Sequence, residues 1–309
     1  MTVAIASAFP RLVPAVAGEL ALTSARDARA RRVGHGAPLA PAVTTTAEGD
    51  WLIMRAAPPS VMEHQREAAE ATLPDQEAED LAWMTPKLPG QVKWALGPSF
   101  GYRVQAELPL ADPADGEATQ QAALAGFEAA FLPLKGCLAS AADSTAPVLN
   151  QGLPSIEDLL LFCDEAGWPA VRREPGAVKV ELEVPGSMAA AHITVSPRAV
   201  RVYSDVCNFT GFSPMPRRAL AQLVLRANAC LRWVRGGFFK GDGLESAGFE
   251  ITIAAAVDAS VLAQALGALS VASRLCGREA SLLADERVAA LFLEVGDGVM
   301  VRQNKNNER

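Results

Sequence analysis

Histidine is the side chain best suited to acid–base catalysis or metal binding near neutral pH, and the sequence has three: His35, His64 and His192. They fall in a loop-like stretch, in an acidic helical stretch and on the outer face of a predicted strand, and no two have the spacing of metal ligands. A general base also needs a nucleophile and an orienting carboxylate within reach, and the sequence indicates neither. We therefore interpret all three as exposed or structural and predict no catalytic, cofactor-binding or metal-binding residue.

Other motifs that carry chemistry are missing. The five cysteines are widely spaced and form no CxxC pair, so we expect reduced thiols rather than a disulfide framework or a zinc site. The short glycine pairs at 241–243 and 296–298 are typical of turns, not of a dinucleotide-binding loop. The sequences GxSxG, HExxH and GxxxxGK[ST] do not occur. The missing motifs remove the usual reasons to propose an enzyme, although they do not exclude one.

Charge patterning offers a first candidate for partner binding. Glu63, Glu67 and Glu70 lie along one face of a predicted acidic helix that continues through Glu79 and Asp80. The corresponding helix of the second half carries arginines instead, at positions 217, 218 and 226. The acidic face is either a solvated surface or a docking strip for a basic partner. The two oppositely charged helices either face each other across a domain interface or form an asymmetric groove.

Aromatic residues near strand ends are the second candidate. Phe238 and Phe239 follow Trp233 in a glycine-punctuated strand, and Trp94 lies in a similar setting in the first half. Such residues usually belong to a core, but an exposed pair would mark an interaction site. The predicted protein-binding residues are accordingly Phe238, Phe239, Arg217, Arg218, Glu63, Glu67 and Glu70.

The elements that position these residues are clearest in the second half. Ser155 and Asp158 have the spacing of a helix N-cap, and Gly167 is a stop signal. Alternating strands follow at 178–184, 191–195 and 200–206, then an amphipathic helix at 213–231. Two more strands, at 233–239 and 249–257, are separated by a polar loop GDGLES. Asp258 begins a helix that we predict to run to about Leu275, and 285–295 has a helical pattern.

The first half repeats part of this pattern. Residues 43–56 are similar to 193–206, and 92–112 are similar to 231–258, with Trp94 matched to Trp233 and Asp112 to Asp258. An Ala-rich helix with Leu124, Phe127 and Phe131 follows Asp112. We predict two tandem α+β domains, each an antiparallel sheet of about five strands packed with helices. The first covers 1–138, 139–154 is a linker, the second covers 155–300, and 301–309 is a disordered tail.

A domain that runs helix, three strands, helix, two strands, helix resembles the small acidic chaperones of type III secretion and the YbjN-like bacterial regulators. The resemblance covers 155–280 well and 10–135 weakly, and the chain differs from that family in its length and in the residues after 285. It implies a convex or grooved surface that holds an extended segment of another protein, with no cofactor and no catalytic residues. Such chaperones generally form dimers, so a tandem chain resembles a covalently linked pseudo-dimer.

The net charge limits the classes of molecule that we expect the protein to bind. The net charge is -7, from 28 basic and 35 acidic side chains, which disfavours nucleic acid and anionic membranes as partners. The N-terminal apolar run ends at Pro10 and has no preceding basic residue, so we expect a cytoplasmic protein without a signal peptide.

Our main hypothesis is a non-catalytic protein-binding module of chaperone-like or regulatory type, present as a monomeric pseudo-dimer or a homodimer. Two alternatives stay open. One is a hydrolase or transferase with a site in the cleft between the domains, where ligand sites are common. The other is a structural subunit of a larger assembly.

Overall fold

The computed structural model describes residues 43–48, 51–56, 75–88, 91–97, 102–109, 153–173, 176–184, 187–196, 199–241, 243–253 and 257–295. The fold is mixed α+β with two antiparallel sheets, one of four strands and one of six, which confirms the predicted class. The predicted Ala-rich helix with Leu124, Phe127 and Phe131, the acidic strip from Glu63 to Glu70, the linker and the tail lie outside the described residues.

The smaller sheet is formed by two hairpins with a helix between them. Its elements are β1 (Val43–Glu48), β2 (Trp51–Ala56), α1 (Asp75–Met84), a 3-10 turn (Thr85–Lys87), β3 (Lys93–Leu96) and β4 (Tyr102–Pro109). The strand order is β1-β2-β4-β3, with every neighbouring pair antiparallel. Both hairpins are therefore joined through β2 and β4.

The larger sheet is also antiparallel and has six strands. Its elements are α2 (Ile156–Glu165), β5 (Ala170–Arg173), β6 (Ala177–Val184), β7 (Ser187–Ser196), β8 (Ala199–Asn208), α3 (Pro214–Cys230), β9 (Arg235–Gly241), β10 (Leu244–Ile253), α4 (Ala259–Leu282) and α5 (286–295). The strand order is β5-β6-β7-β8-β10-β9, again antiparallel throughout. The four strands β7-β8-β10-β9 are ordered like β1-β2-β4-β3 of the smaller sheet. In each set of four, a helix lies between the second and third strands along the chain.

Local signals in the sequence explain where the second-half elements begin and end. Ser155 and Asp158 form a capping box at the start of α2, and Gly167 follows the helix with φ at 74°. The Asp258 side chain accepts a hydrogen bond from the Val261 backbone N–H at the start of α4. In β6, Val178 and Val180 are buried while Glu181 is exposed, as alternation predicts. These parts of the predicted pattern are confirmed.

Three sequence predictions need correction. Most of the stretch GDGLES belongs to strands rather than to a loop, because Gly241 ends β9 and pairs with Leu244, which begins β10. Gly243, just before Leu244, has φ at 77°. The helix that starts after Asp258 continues past Leu275 to Leu282, because small and apolar residues keep its inner face buried. Trp94 lies inside strand β3, whereas Trp233 precedes β9 with φ at 61°, so the two tryptophans occupy different positions.

Two hydrophobic cores hold the structure together. One lies between the larger sheet and the helices α2 and α4, and includes Leu159, Ile193 and Leu269. The other is shared by the two halves of the chain. Its members from the first half include Met54, Leu81, Trp94 and Val104, and those from the second half include Leu220, Val224, Phe238 and Leu293. The halves therefore meet through a packed apolar contact built around α1 and α3.

Candidate functional site

The aromatic pair that the sequence suggested as an exposed patch is divided between two faces of the larger sheet. Phe238 is 2% exposed and belongs to the shared core, where it packs against Trp83 and Phe209. Neighbouring residues of a strand point in opposite directions, so Phe239 lies on the other face and is half-buried. The prediction for Phe238 as a binding residue is wrong, because a core side chain is not accessible to a partner.

Arg217 on α3 is used to join the two halves. Its Nε donates to the Glu79 carboxylate on α1 at 2.9 Å, and its Nη1 donates to Glu245 at 2.8 Å. Arg218, next on the same helix, is half-buried and has contacts of its own. The sequence left open whether the acidic and basic helices face each other or form an asymmetric groove. The Glu79–Arg217 ion pair places α1 and α3 in contact. Arg217 is thus an internal link rather than a free docking group, and Glu63, Glu67 and Glu70 lie outside the described residues.

A buried charge pair lies where the smaller sheet meets the end of α3. Lys93 is 1% exposed, and its Nζ lies 2.6 Å from the Glu107 carboxylate, 2.6 Å from the Leu231 carbonyl oxygen and 2.9 Å from that of Val234. Three acceptors around one nitrogen require the ammonium form, since a neutral amine has only two hydrogens to donate. Burial lowers the pKa of Lys93, and the Glu107 carboxylate opposes this effect.

The neighbours of this pair complete a cap for α3. Gln105 donates to Glu107 at 2.8 Å and to the Asn228 carbonyl oxygen at 2.6 Å. The Asn228 side chain donates to the carbonyl oxygens of Trp94 and Gly236, at 2.8 and 2.9 Å, which ties edge strand β3 to edge strand β9. The last carbonyls of a helix have no partner within the helix. The side chains of Lys93 and Gln105 satisfy such carbonyls, so the buried charges have a structural role.

The two faces of the larger sheet differ in chemistry. The apolar face is covered by α2 and α4. The opposite face, which we call the open face, carries every second residue of β6, β7, β8 and β10 together with Phe239 of β9. Its members include Lys179, Glu181, His192, Thr194, Arg201, Tyr203, Asp205, Phe239, Glu250 and Thr252. The alternation of the strands made this face predictable, but nothing in the sequence indicated which of its side chains form a group.

An aromatic and arginine cluster lies on the open face across β8, β10 and β9. The rings of Tyr203 and Phe239 meet edge to face with centroids 4.9 Å apart. The Arg201 guanidinium carbon lies 5.2 Å from the Tyr203 centroid and 5.5 Å from that of Phe239. Gly248 of β10 lies under this cluster, and a Cβ there would approach the Tyr203 ring to 3.1 Å. A glycine at this position therefore allows the tyrosine ring to lie close to the sheet.

Ion pairs fix the position of the arginine. Arg201 donates through Nε to Glu250, a carboxylate that is 1% exposed, and Glu250 also accepts from Arg235 at 2.6 and 2.9 Å. The Arg201 side chain stays 44% exposed, so part of its guanidinium faces solvent. Tyr203 donates its hydroxyl to Asp205 and lies 3.1 Å from the Ser246 hydroxyl. The cluster is thus held rigidly and remains accessible.

Burial shifts the pKa values of two titratable groups on the open face and of two thiols in the core. Burial lowers the pKa of His192, and the carboxylate of Asp205 opposes this effect. Burial and the hydrogen bond to Asp205 raise the pKa of Tyr203. Among the described residues, no group of three or more His, Cys, Asp or Glu side chains is placed to hold a metal ion. The buried thiols of Cys163 and Cys276 have pKa values raised by burial to about 11 and about 12, which makes them poor nucleophiles at neutral pH.

The open face is therefore a rigid surface with one aromatic and cationic centre. Tyrosine and arginine in a central, well-ordered group are typical of the residues that dominate protein interfaces. Comparison of the chain with protein-family models, with curated proteins and with solved structures finds no match.

Proposed function

We propose that the chain is a non-catalytic protein-binding module of chaperone-like or regulatory type, and that its open face holds an extended segment of another protein. The observation that carries the proposal is the cluster of Arg201, Tyr203 and Phe239 on the open face, where the Arg201 side chain stays 44% exposed. Aromatic rings lose little conformational entropy on binding, and an anchored arginine loses less than a mobile one. The cluster thus supplies a preorganised binding centre.

The side chains of the open face indicate which side chains the bound segment should carry. Arg201 is joined on this face by Lys179 and, on β5, by Arg173, which is exposed and lies beside Ala177 in the sheet. Glu181 and Asp205 are the acidic members, and Glu250 is already paired. We therefore expect a guest with an apolar side chain for the aromatic pair and an adjacent carboxylate for Arg201.

Two features support a tandem arrangement as part of this proposal. The strand order β1-β2-β4-β3 matches β7-β8-β10-β9, with a helix at the same point of the chain in each sheet. The larger sheet and its helices run helix, four strands, helix, two strands, helix. This order has one strand more before the second helix than the order on which the resemblance to type III secretion chaperones and YbjN-like regulators rests. On this view each half derives from one ancestral sheet-and-helix unit, and the halves form a pseudo-dimer within one chain.

The contact between the halves favours binding over the catalytic alternative. A site in an inter-domain cleft would need titratable groups that face a substrate. Lys93 and Glu107 are instead directed at each other and at backbone carbonyls, and they are 1% and 5% exposed. This cluster of buried charges thus already has a structural role.

The test uses a phage-displayed library of random peptides selected on the full chain. We expect selected peptides to combine an apolar residue with Asp or Glu. Arg201→Ala and Phe239→Ala are each expected to weaken binding of a selected peptide by about tenfold, as for truncation of a central interface residue. Fluorescence anisotropy measures the affinity, and circular dichroism checks that each variant is folded.

Arg172→Ala is the matched control, because Arg172 is exposed on the same sheet but pairs with Glu157 of α2 on the other side. It is expected to leave peptide affinity unchanged. Equal binding of the selected peptides to the wild-type chain and to both open-face variants would refute the proposed site. A selection that enriches no peptide would count against the proposed function itself.

A further inference from the structure

The outer side of the C-terminal helices carries most of the exposed large apolar side chains of the described residues. Six of the ten such side chains lie between 271 and 295, on α4 and α5: Val271, Leu275, Leu282, Val288, Leu291 and Val295. Leu275 is 57% exposed and Leu282 is 52% exposed. Exposed apolar side chains that are grouped on one part of a protein surface indicate an interaction site.

The exposed residues of α4 form one stripe along the helix, which we call the α4 stripe: Val271, Leu275, Arg278 and Leu282. Spacings of four, three and four residues place these side chains on one side of the helix. The other side of the same segment is buried, at Leu269, Ala272, Cys276 and Ala280. The apolar exposure is therefore a feature of a firmly packed helix. Among the described residues, α4 is also the helix whose length and composition would suffice to span a membrane.

The charges on either side of the stripe are opposite in sign. Arg274 lies on one flank and Glu279, five residues later, lies on the other, and both are exposed. In two parallel helices related by a twofold axis, a residue on one flank faces the residue five positions further on the opposite flank of the other helix. Arg274 of each copy would then lie opposite Glu279 of the other. An antiparallel pair would bring like flanks together and place Arg274 against Arg274.

We propose that the α4 stripe pairs with the α4 stripe of a second copy of the chain, with the two helices parallel about a twofold axis. In this arrangement Leu275 contacts Leu275, Leu282 contacts Leu282, and two Arg274–Glu279 pairs flank the seam. The stem of Arg278 lies in the seam while its guanidinium reaches the Glu279 carboxylate of the other copy. Arg278 of one copy lies opposite Arg278 of the other in the seam, so the charge complementarity of this isologous contact is carried by the flanking Arg274–Glu279 pairs.

The pairing leaves the open face accessible, because α4 covers the opposite face of the larger sheet. A homodimer would therefore present two open faces. The stripe is short compared with the interfaces of permanent dimers, so the association is reversible and depends on concentration. This inference goes beyond the proposed function and does not depend on it.

Sedimentation velocity over a range of protein concentrations tests the pairing. The wild-type chain is expected to pass from monomer to dimer as concentration rises. The double variant Leu275→Glu, Leu282→Glu is expected to raise the dissociation constant by about 100-fold, and it should fold normally because both residues are already half exposed. Leu161→Glu is the control, since Leu161 is 53% exposed on α2 and outside the stripe. A wild-type chain that stays monomeric, or a dimer that the double variant leaves unchanged, would overturn the proposal.

Two further measurements test the geometry. Arg274→Glu is expected to weaken the dimer, and adding Glu279→Arg is expected to restore it, because the exchange recreates the opposite charges. In a Cys230→Ser background, Leu282→Cys is expected to form an intermolecular disulfide, since only the parallel twofold brings the two positions together. A dimer that neither responds to the charge exchange nor crosslinks at 282 would exclude the parallel seam. Both sets of variants leave the open face intact, so their failure is separate from failure of the peptide-binding test.

Discussion

Replacing Lys93 by methionine should destabilise the whole chain, because this one side chain links the two halves through buried hydrogen bonds. The change removes the contacts of Nζ with Glu107 at 2.6 Å and with the carbonyl oxygens of Leu231 and Val234 at 2.6 and 2.9 Å. Glu107 would stay buried and would keep a hydrogen bond from Gln105 at 2.8 Å. Removing one member of a buried pair typically costs about 3–5 kcal/mol of unfolding free energy.

The double variant Lys93→Met, Glu107→Leu separates the two contributions. No buried charge is left uncompensated in it, so its cost is expected to fall to about 1–3 kcal/mol, which is the penalty for leaving a helix-end carbonyl without a donor. Urea unfolding followed by tryptophan fluorescence measures the free energies, since Trp94 and Trp233 lie near this contact. Arg172→Ala again serves as an exposed control with an effect below about 0.5 kcal/mol.

The result also tests whether the halves unfold together. If Lys93 caps α3 as described, the single and double variants should each unfold in one transition, with tryptophan fluorescence and circular dichroism giving the same midpoint. A cost below about 1 kcal/mol for Lys93→Met would refute the structural role that we assign to it. A double variant as unstable as the sum of the two single variants would show that the charges do not act as a pair.

The remaining predictions concern single positions in the fold. Ser155→Ala should lower the unfolding free energy by about 1 kcal/mol through loss of a helix cap, as measured by urea unfolding. Gly237→Ala should cost about 1–3 kcal/mol, because its Cβ would come within 2.5 Å of the Pro86 ring and 2.9 Å of the Ala82 carbonyl oxygen. Burial lowers the pKa of His192, so unfolded chains bind more protons than folded ones just below pH 6.5. Stability should therefore fall as the pH drops through the folded pKa of His192, and the drop between pH 7 and pH 5 should be smaller in His192→Gln.

Short-range signals were sufficient to predict most elements of the second half. Helix caps at Ser155 and Asp258 and the alternation of β6 depend on residues within a few positions of one another, so they can be read from sequence. The positions that needed correction depend on pairing between strands and on packing of a helix on the sheet. Leu244 extends β10 because it pairs with Gly241, and the longer α4 is held by the sheet beneath it.

The candidate site was less predictable, because its members come together only through strand pairing. Arg201 and Tyr203 are two residues apart on β8, but Phe239 reaches them through β10, which lies between β8 and β9. The adjacent phenylalanines at 238 and 239 therefore suggested the wrong pair, since only strand register shows which of the two shares a face with Arg201.

The contact between the halves illustrates the same limit at longer range. Lys93 opens a short strand, and from sequence a lysine in that place is assigned to the solvent. What changes its environment is the end of α3, about 140 positions further along the chain, where carbonyl groups without helical partners need donors. The Glu79–Arg217 pair could be anticipated because the charges of whole helices are visible in the sequence. The hydrogen bond from Lys93 to the Leu231 carbonyl oxygen cannot be read from the sequence, because it forms only once the smaller sheet and α3 have packed together. The same dependence makes Lys93 a sensitive reporter of whether the two halves form one folding unit.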